Sequence, residues 1–421
     1  MRHRRRRDGA LAAAAAATAV ATVVTGCGAP ANPPPTALRL AIDGQSGPAY
    51  DPVHITVAGG APGATVTLTA SAADARGVSW TSKAAFRADA HGAVDLARQA
   101  PIGGSYSGVD AMGLFWSMDP PAGDPTDAFA TSGFTVTVTA ASQGATTRGT
   151  VTRGFQSAGE TVEPLTVAQN GFEGHLFLPA PRAKPAPALI MVGGSEGGES
   201  TYAAAMLMAA KGYPALSVGY FNVPGTPPTL TGIPLEYFAK AAAWLEQQPQ
   251  VDKQHVLIYG GSRGSEAALL TAQDFPDLVH GAILVAPSAK VWGALPGPGD
   301  AWTLHGASAG AQGGDIPVDK VSGPVQAFAG TDDKLWDSPS WARQITAELD
   351  LAHNPHPHTD REFPAAGHMV GAIPYLPLMT THTQYGQTFQ LGGTRQADAA
   401  AQAQIWNAVF GLLAGLAGAE G

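Results

Sequence analysis

The chain has 421 residues, 45% of them hydrophobic but only 14% charged, with a net charge of −9. That length accommodates two or three domains. The acidic balance and the lack of a basic stripe argue against a nucleic-acid partner, because an acidic surface repels phosphate, and no apolar run after residue 30 is long enough to cross a bilayer.

The N-terminus reads MRHRRRRDGALAAAAAATAVATVVTGC. A basic head (Arg2, Arg4, Arg5, Arg6, Arg7) precedes an apolar run from Ala10 to Val24, the layout of a secretory signal peptide. It closes on Val24-Thr25-Gly26-Cys27, which resembles a bacterial lipobox. Residues 1–27 are therefore expected to be a leader and Cys27 its lipidation site. The chain would then be exported and lipid-anchored to the outer face of the cell membrane. The paired arginines also raise a twin-arginine route, although no clear consensus follows them. Cys27 is the sole cysteine, so no intramolecular disulfide can form. A buried structural thiol fits poorly at this position, between the apolar run and the Pro-rich GAPANPPPT, which falls in the expected linker of residues 28–37. Without the five arginines and Asp8 of the leader, 19 basic and 32 acidic residues leave a net charge of −13.

Residues 38–159 read as strands and turns. HITVAGG, TVTLTASA and FTVTVTAASQ alternate side-chain type with period two and are rich in Val and Thr. Gly and Pro punctuate them, and no long helical period intervenes. The expectation is an all-β, immunoglobulin-like sandwich with Trp80, Phe115 and Trp116 in its core rather than on a ligand platform.

From residue 160 to 421 the pattern changes. PALIMVGG, YPALSVGY, HVLIYGGS, GAILVAPS and VQAFAGTDD are apolar strand-like runs. YAAAMLMAAKG, LEYFAKAAAWLEQQ and EAALLTAQDF are helical stretches between them. Continuous apolar strands with crossover helices predict an α/β fold, with a mostly parallel sheet covered on both faces. Active sites in such sheets gather at the carboxyl ends of the strands.

Three segments fit G-x-S-x-G, around Ser195, Ser262 and Ser308. A nucleophile elbow requires a strand, a sharp turn and an immediate helix. Only Ser262 has all three, with HVLIYG before it and GSEAALLTAQ after it. At Ser195 the sequence Glu-Gly-Gly delays the helix, and HGASAGAQGG around Ser308 has no preceding strand. A serine nucleophile needs a base oriented by a carboxylate, and hydrolases of this topology place them in the order Ser, acid, His. The strand VQAFAG ends in Thr331-Asp332-Asp333, and Glu362-Phe363-Pro364-Ala365-Ala366-Gly367-His368 reads as a short final strand running into a Gly-His. Asp333 is preferred as the acid and Asp332 is the alternative. The oxyanion hole is expected from the backbone N–H of Arg263 and from the loop after PALIMV, at Ser195 or Glu196. The side chains of Glu196 and Arg263 either pair across the site or face solvent. The cluster His353, His356 and His358 sits in a Pro-rich loop without fixed metal geometry, and neither a metal nor a cofactor is expected.

These motifs resemble the family of acyl-CoA thioesterases and bile acid-CoA:amino acid N-acyltransferases. The resemblance rests on DPVHITVAGGAPGATVTLTASAAD, FRADAHGAVDL and GGSYSGVDAMGLFWSMDP in the β region. In the second region it rests on LEYFAKAAAWL, GGSRGSEAALL, GTDDKLWDS, FPAAGH and AQIWNAVFGLL. It implies a β-sandwich preceding an α/β-hydrolase domain, and a Ser262, Asp333, His368 triad. Amino-acid acyltransferases of the family use cysteine as nucleophile and its thioesterases use serine, so Ser262 implies hydrolysis. Arg263 departs from the Lys or small apolar residue usual after the nucleophile. The family works on intracellular acyl-CoA, whereas export would put this chain among other esters. The expected partner is a small acyl thioester or ester. The competing functions are an acyltransferase, with an amine or alcohol acceptor, and a non-catalytic lipid-binding surface lipoprotein.

Overall fold

The computed structural model describes residues 37–121, 129, 133–378, 380–384 and 386–418. The expected leader, Cys27 and all but the last residue of the expected linker lie outside these residues.

Two sheets make up the first region. One has six strands (Ser46–Pro48, Thr65–Ala73, Ser79–Arg87, Gly103–Gly104, Phe134–Ser142 and Ala145–Gly154) and the other three (Arg39–Asp43, His54–Ala58 and Val94–Asp95). Every second residue from Val66 to Ala72 is buried while the Thr side chains between them face outward, which is the period of a strand with one wet face. Trp80, Phe115 and Trp116 are buried in the core with Val66, Leu68 and Val138. Leu378 and Ala399, from much later in the chain, belong to the same core.

The second region is organised by an eight-stranded sheet. In chain order its strands are β1 (Thr161–Leu165), β2 (Glu173–Leu178), β3 (Ala186–Val192), β4 (Ala215–Gly219), β5 (Val251–Gly261), β6 (Ala282–Val285), β7 (Val325–Gly330) and β8 (His358–Phe363). Their order across the sheet is β1-β2-β4-β3-β5-β6-β7-β8. The β1–β2 and β2–β4 pairs are antiparallel, and the pairs from β4 to β8 are parallel. This is the expected α/β-hydrolase sheet. All seven residues of β3 are buried, as a strand covered on both faces requires. The longer helices are α1 (Tyr202–Ala210), α2 (Leu235–Leu245), α3 (Arg263–Asp274), α4 (Ser338–Leu351) and α5 (Arg395–Gly418).

Two local expectations are corrected. The final strand is not Glu362 to His368. It starts at His358, pairs along the whole of β7, and stops at Phe363, because Pro364 has no N–H to donate to a ladder and Ala365 turns to φ 58°. His358 is therefore a strand residue, bonded to Asp350 and to the carbonyl of His356. Ser308 does have a strand before it, Trp302–Leu304. It lies in the short strand Ala307–Ser308, which pairs with Trp302–Leu304 in a small separate sheet.

Candidate active site

Strand β5 ends at Gly261 and helix α3 begins at Arg263, so Ser262 alone makes the turn. Its backbone is at φ 53°, ψ −125°, a conformation that costs a non-glycine residue about 1–3 kcal/mol. The surrounding packing enforces it. A Cβ on Gly264 would lie 2.3 Å from the carbonyl oxygen of Gly193, and one on Gly260 would lie 2.2 Å from that of Gly264. Both glycines are sterically obligatory, whereas a Cβ on Gly261 would meet nothing within 4 Å. The Ser262 N–H donates to Val285 O at 3.0 Å, and the Ser262 carbonyl accepts the N–H and hydroxyl of Ser265 at 2.9 and 2.6 Å.

Ser262 Oγ lies 2.9 Å from His368 Nε2, and His368 Nδ1 lies 2.8 Å from Asp333 Oδ2. The Asp333 side chain has no exposed surface. Its Oδ2 also accepts the Ser338 hydroxyl at 2.6 Å, and its Oδ1 accepts the N–H groups of Leu335 and Trp336 at 2.9 and 3.3 Å. A carboxylate so placed can only accept from Nδ1–H, which leaves Nε2 as the acceptor for the serine hydroxyl. Asp332 turns the other way. It pairs with Lys334 and accepts the Gly393 N–H at 3.1 Å, and its carboxyl is held low chiefly by the Lys334 contact.

The loop after β3 lies against Ser262: a Cβ on Gly194 would be 2.9 Å from that of Ser262. Glu196 is exposed, and its carboxylate accepts the Gly194 N–H at 2.9 Å. Tyr220, at the end of β4, holds this loop from below by donating to the carbonyls of Gly193 and Gly194 at 2.7 and 3.0 Å. Burial raises the Tyr220 hydroxyl well above its ordinary pKa, so it remains a donor. Ser195 lies partly buried in the same loop.

The Arg263 side chain departs from both expectations. It neither pairs with Glu196 nor faces solvent. It is 8% exposed, with Nε 2.6 Å from Glu266 Oε1, one helical turn on. It also donates to the carbonyls of Trp292 and Gly293 at 3.0 and 2.9 Å. Glu266 in turn accepts from Trp292 N–H and Trp302 Nε1 at 3.0 and 2.8 Å. Burial pushes its carboxyl up to about 7, against the opposing pull of Arg263. The pair ties the segment after β6 to the first turn of α3. An Arg and a Glu three apart after the elbow were visible in GGSRGSE, but their partners Trp292 and Trp302 were not. Trp336, also unanticipated, packs its ring edge-on to His368 with centroids 5.7 Å apart and donates to Ala286 O at 3.1 Å.

Two family profiles match the chain. Residues 50–167 match the one described as Acyl-CoA thioester hydrolase/BAAT N-terminal region. Residues 233–294 and 304–414 match BAAT / Acyl-CoA thioester hydrolase C terminal. The chain belongs to the acyl-CoA thioester hydrolase/BAAT family. Its relatives include acyl-coenzyme A thioesterase 1 of Rattus norvegicus, 28% identical over 385 residues, with 85% of this chain and 91% of the relative covered. Mitochondrial acyl-coenzyme A thioesterase 2 of Homo sapiens is 29% identical over 389 residues, covering 85% and 79%. Among solved structures, a dienelactone hydrolase-like promiscuous phosphotriesterase from metagenomic libraries is 15% identical with a TM-score of 0.44, covering 62% of this chain and 99% of that one. The fold assignment rests on the strand order, not on that likeness. With this family membership the chain is an enzyme of the hydrolase type.

Proposed function

We propose that the enzyme hydrolyses acyl thioesters through a covalent acyl-serine. The observation that carries the reading is the continuous chain Ser262–His368–Asp333, set at a strained elbow in a member of this family. His368 Nε2 takes the hydroxyl proton as Ser262 Oγ attacks the acyl carbonyl. Asp333 holds the imidazole in the required tautomer and balances its positive charge. The tetrahedral oxyanion is received by the N–H of Arg263, which as the first residue of α3 has no intrahelical acceptor. The second donor is an N–H of the adjacent loop, at Ser195 or Glu196; that of Gly194 is already spent on the Glu196 carboxylate. The proton on His368 then passes to the leaving sulfur as the carbon–sulfur bond breaks. Water, deprotonated by the same histidine, releases the acid and restores Ser262.

The substrate class comes from the relatives, which are acyl-coenzyme A thioesterases by name. The proposed location is a lipid anchor at Cys27, supported by the lipobox-like VTGC. Two acyl chains would hold such a protein stably at a bilayer. Ser262→Ala tests the chemistry. It should abolish labelling by a fluorophosphonate probe and turnover of acyl-CoA alike. Labelling that survives this change and is lost in Ser195→Ala would overturn the assignment. Comparing acyl-CoA with simple esters fixes the leaving group, and acceptor-dependent product would point to acyl transfer instead. Mass spectrometry of the mature N-terminus tests the anchor, and an unmodified Cys27 would remove it.

A further inference from the structure

The steps above leave one buried acid near the site without a role. Asp398, in the first turn of α5, is 1% exposed, and its Oδ1 accepts the Gly367 N–H at 2.6 Å. Gly367 directly precedes His368. One turn along α5, Gln402 Nε2 donates to Met369 O at 2.8 Å; one turn further, Trp406 Nε1 donates to Ala372 O at 3.1 Å. Spaced four apart, the three side chains form one stripe on the helix, and they grip the backbone on both sides of His368. The segment leading into α5 completes the hold, with the His368 N–H donating to Leu391 O at 2.9 Å. The start of α5 is itself tied to the sandwich region: Arg395 pairs with Asp119 and donates to the carbonyls of Trp116 and Met118.

We propose that Asp398 is a positioning residue for the reaction, fixing the peptide that carries His368 and adding a second negative charge beside the imidazolium formed during turnover. The proposal rests on the reading of His368 as general base. The charged groups around Asp398 are Asp333 and Asp332 from the loop after β7, with Lys334 paired to Asp332, and His368 itself. Arg395, from the same helix, is committed to Asp119. Burial pushes the Asp398 carboxyl up to about 6, helped by Asp333 and Asp332 and opposed by the Gly367 N–H and His368. It is therefore ionised from neutral pH upward, where a neutral base is also required.

The test is kcat and kcat/KM against pH on an acyl thioester for wild type, Asp398→Asn, Asp398→Ala and His368→Ala. Asparagine keeps an oxygen for the Gly367 N–H, so kcat at pH 8 should stay within about threefold of wild type. Losing the charge should move the acid limb of kcat/KM to lower pH by about half a unit. Alanine loses the acceptor as well, and kcat should fall on the order of tenfold or more with KM little changed. An acid limb in Asp398→Asn that coincides with wild type overturns the proposal, as does a fully active Asp398→Ala. If the alanine variant does not fold, the asparagine profile decides alone. Activity surviving in His368→Ala would instead sink the triad reading. An inactive His368→Ala beside unchanged Asp398 profiles sinks only this proposal.

Discussion

The two halves of the site are built by different means. On the nucleophile side the special residues lie within one five-residue motif: neither Gly260 nor Gly264, the latter pressed against the Gly193 carbonyl, leaves room for a side chain, and Ser262 between them sits at φ 53°. On the base side almost nothing is local. His368 depends on Leu391, Asp398, Gln402 and Trp406, and through Arg395 on the sandwich region. The small residues such a turn requires all fall within one short motif. His368, five residues beyond the end of β8, has no such motif, because its neighbours Pro364, Ala365 and Ala366 offer no side chain that can hold it. The difference also suggests why sandwich and catalytic sheet lie in one compact unit, Ala37–Gly421.

Changes on the base side should carry the largest effect. Asp333→Asn removes the charge and puts an NH2 donor in place of one carboxylate oxygen, which favours the wrong His368 tautomer, and should lower kcat about 10⁴-fold, while Asp332→Asn, at a carboxylate that faces Lys334 and Gly393, should cost far less. Equal, modest losses from both would contradict a single orienting acid.

The nucleophile side can be probed by adding one carbon. Gly264→Ala puts a Cβ 2.3 Å from a backbone oxygen, so thermal melts should show a loss of about 1–3 kcal/mol with activity falling alongside. Gly261→Ala, next to the serine but with open space around it, should leave both nearly unchanged. If the two alanines behave alike, the elbow is not held by packing.

Between these sides lies the loop after β3. Tyr220→Phe removes the single O–H that the Gly193 and Gly194 carbonyls share, and kcat should drop about fivefold, the equivalent of roughly 1 kcal/mol for one lost donor. Unchanged steady-state kinetics would mean that the loop holds its shape without Tyr220.

The smallest effect is on pH dependence. Folding raises the Glu266 carboxyl to about 7 from an ordinary 4.5. Between those values the folded chain binds the proton that the unfolded chain has released. That contribution to stability is whole below pH 4.5 and is lost as pH rises through 7. Glu266→Gln should flatten this fall in Tm across the same window. A wild-type Tm that instead rises there, and is unaltered by the change, would refute it.

Much of this molecule was determined by sequence pattern alone. The switch from period-two alternation to continuous apolar strands marks two architectures, because a sheet with one wet face and a sheet covered twice need different side chains. G-x-S-x-G between a strand and a helix marks the elbow, since the small residues it needs fall within one short motif. Only the tertiary structure decided the rest. Asp332 and Asp333 are adjacent in the chain and alike in chemistry; the turn after β7, bridged at Asp333 to Gly392, sends one carboxylate to His368 and the other to Lys334 and Gly393. Arg263 looked like a surface or cross-site charge until Trp292 and Trp302, brought in by the segment after β6, covered it and Glu266 together. Asp398 is ordinary in RQADAAAQAQ, and what sets it beside the histidine is the docking of α5, a contact across 31 residues that no local pattern encodes.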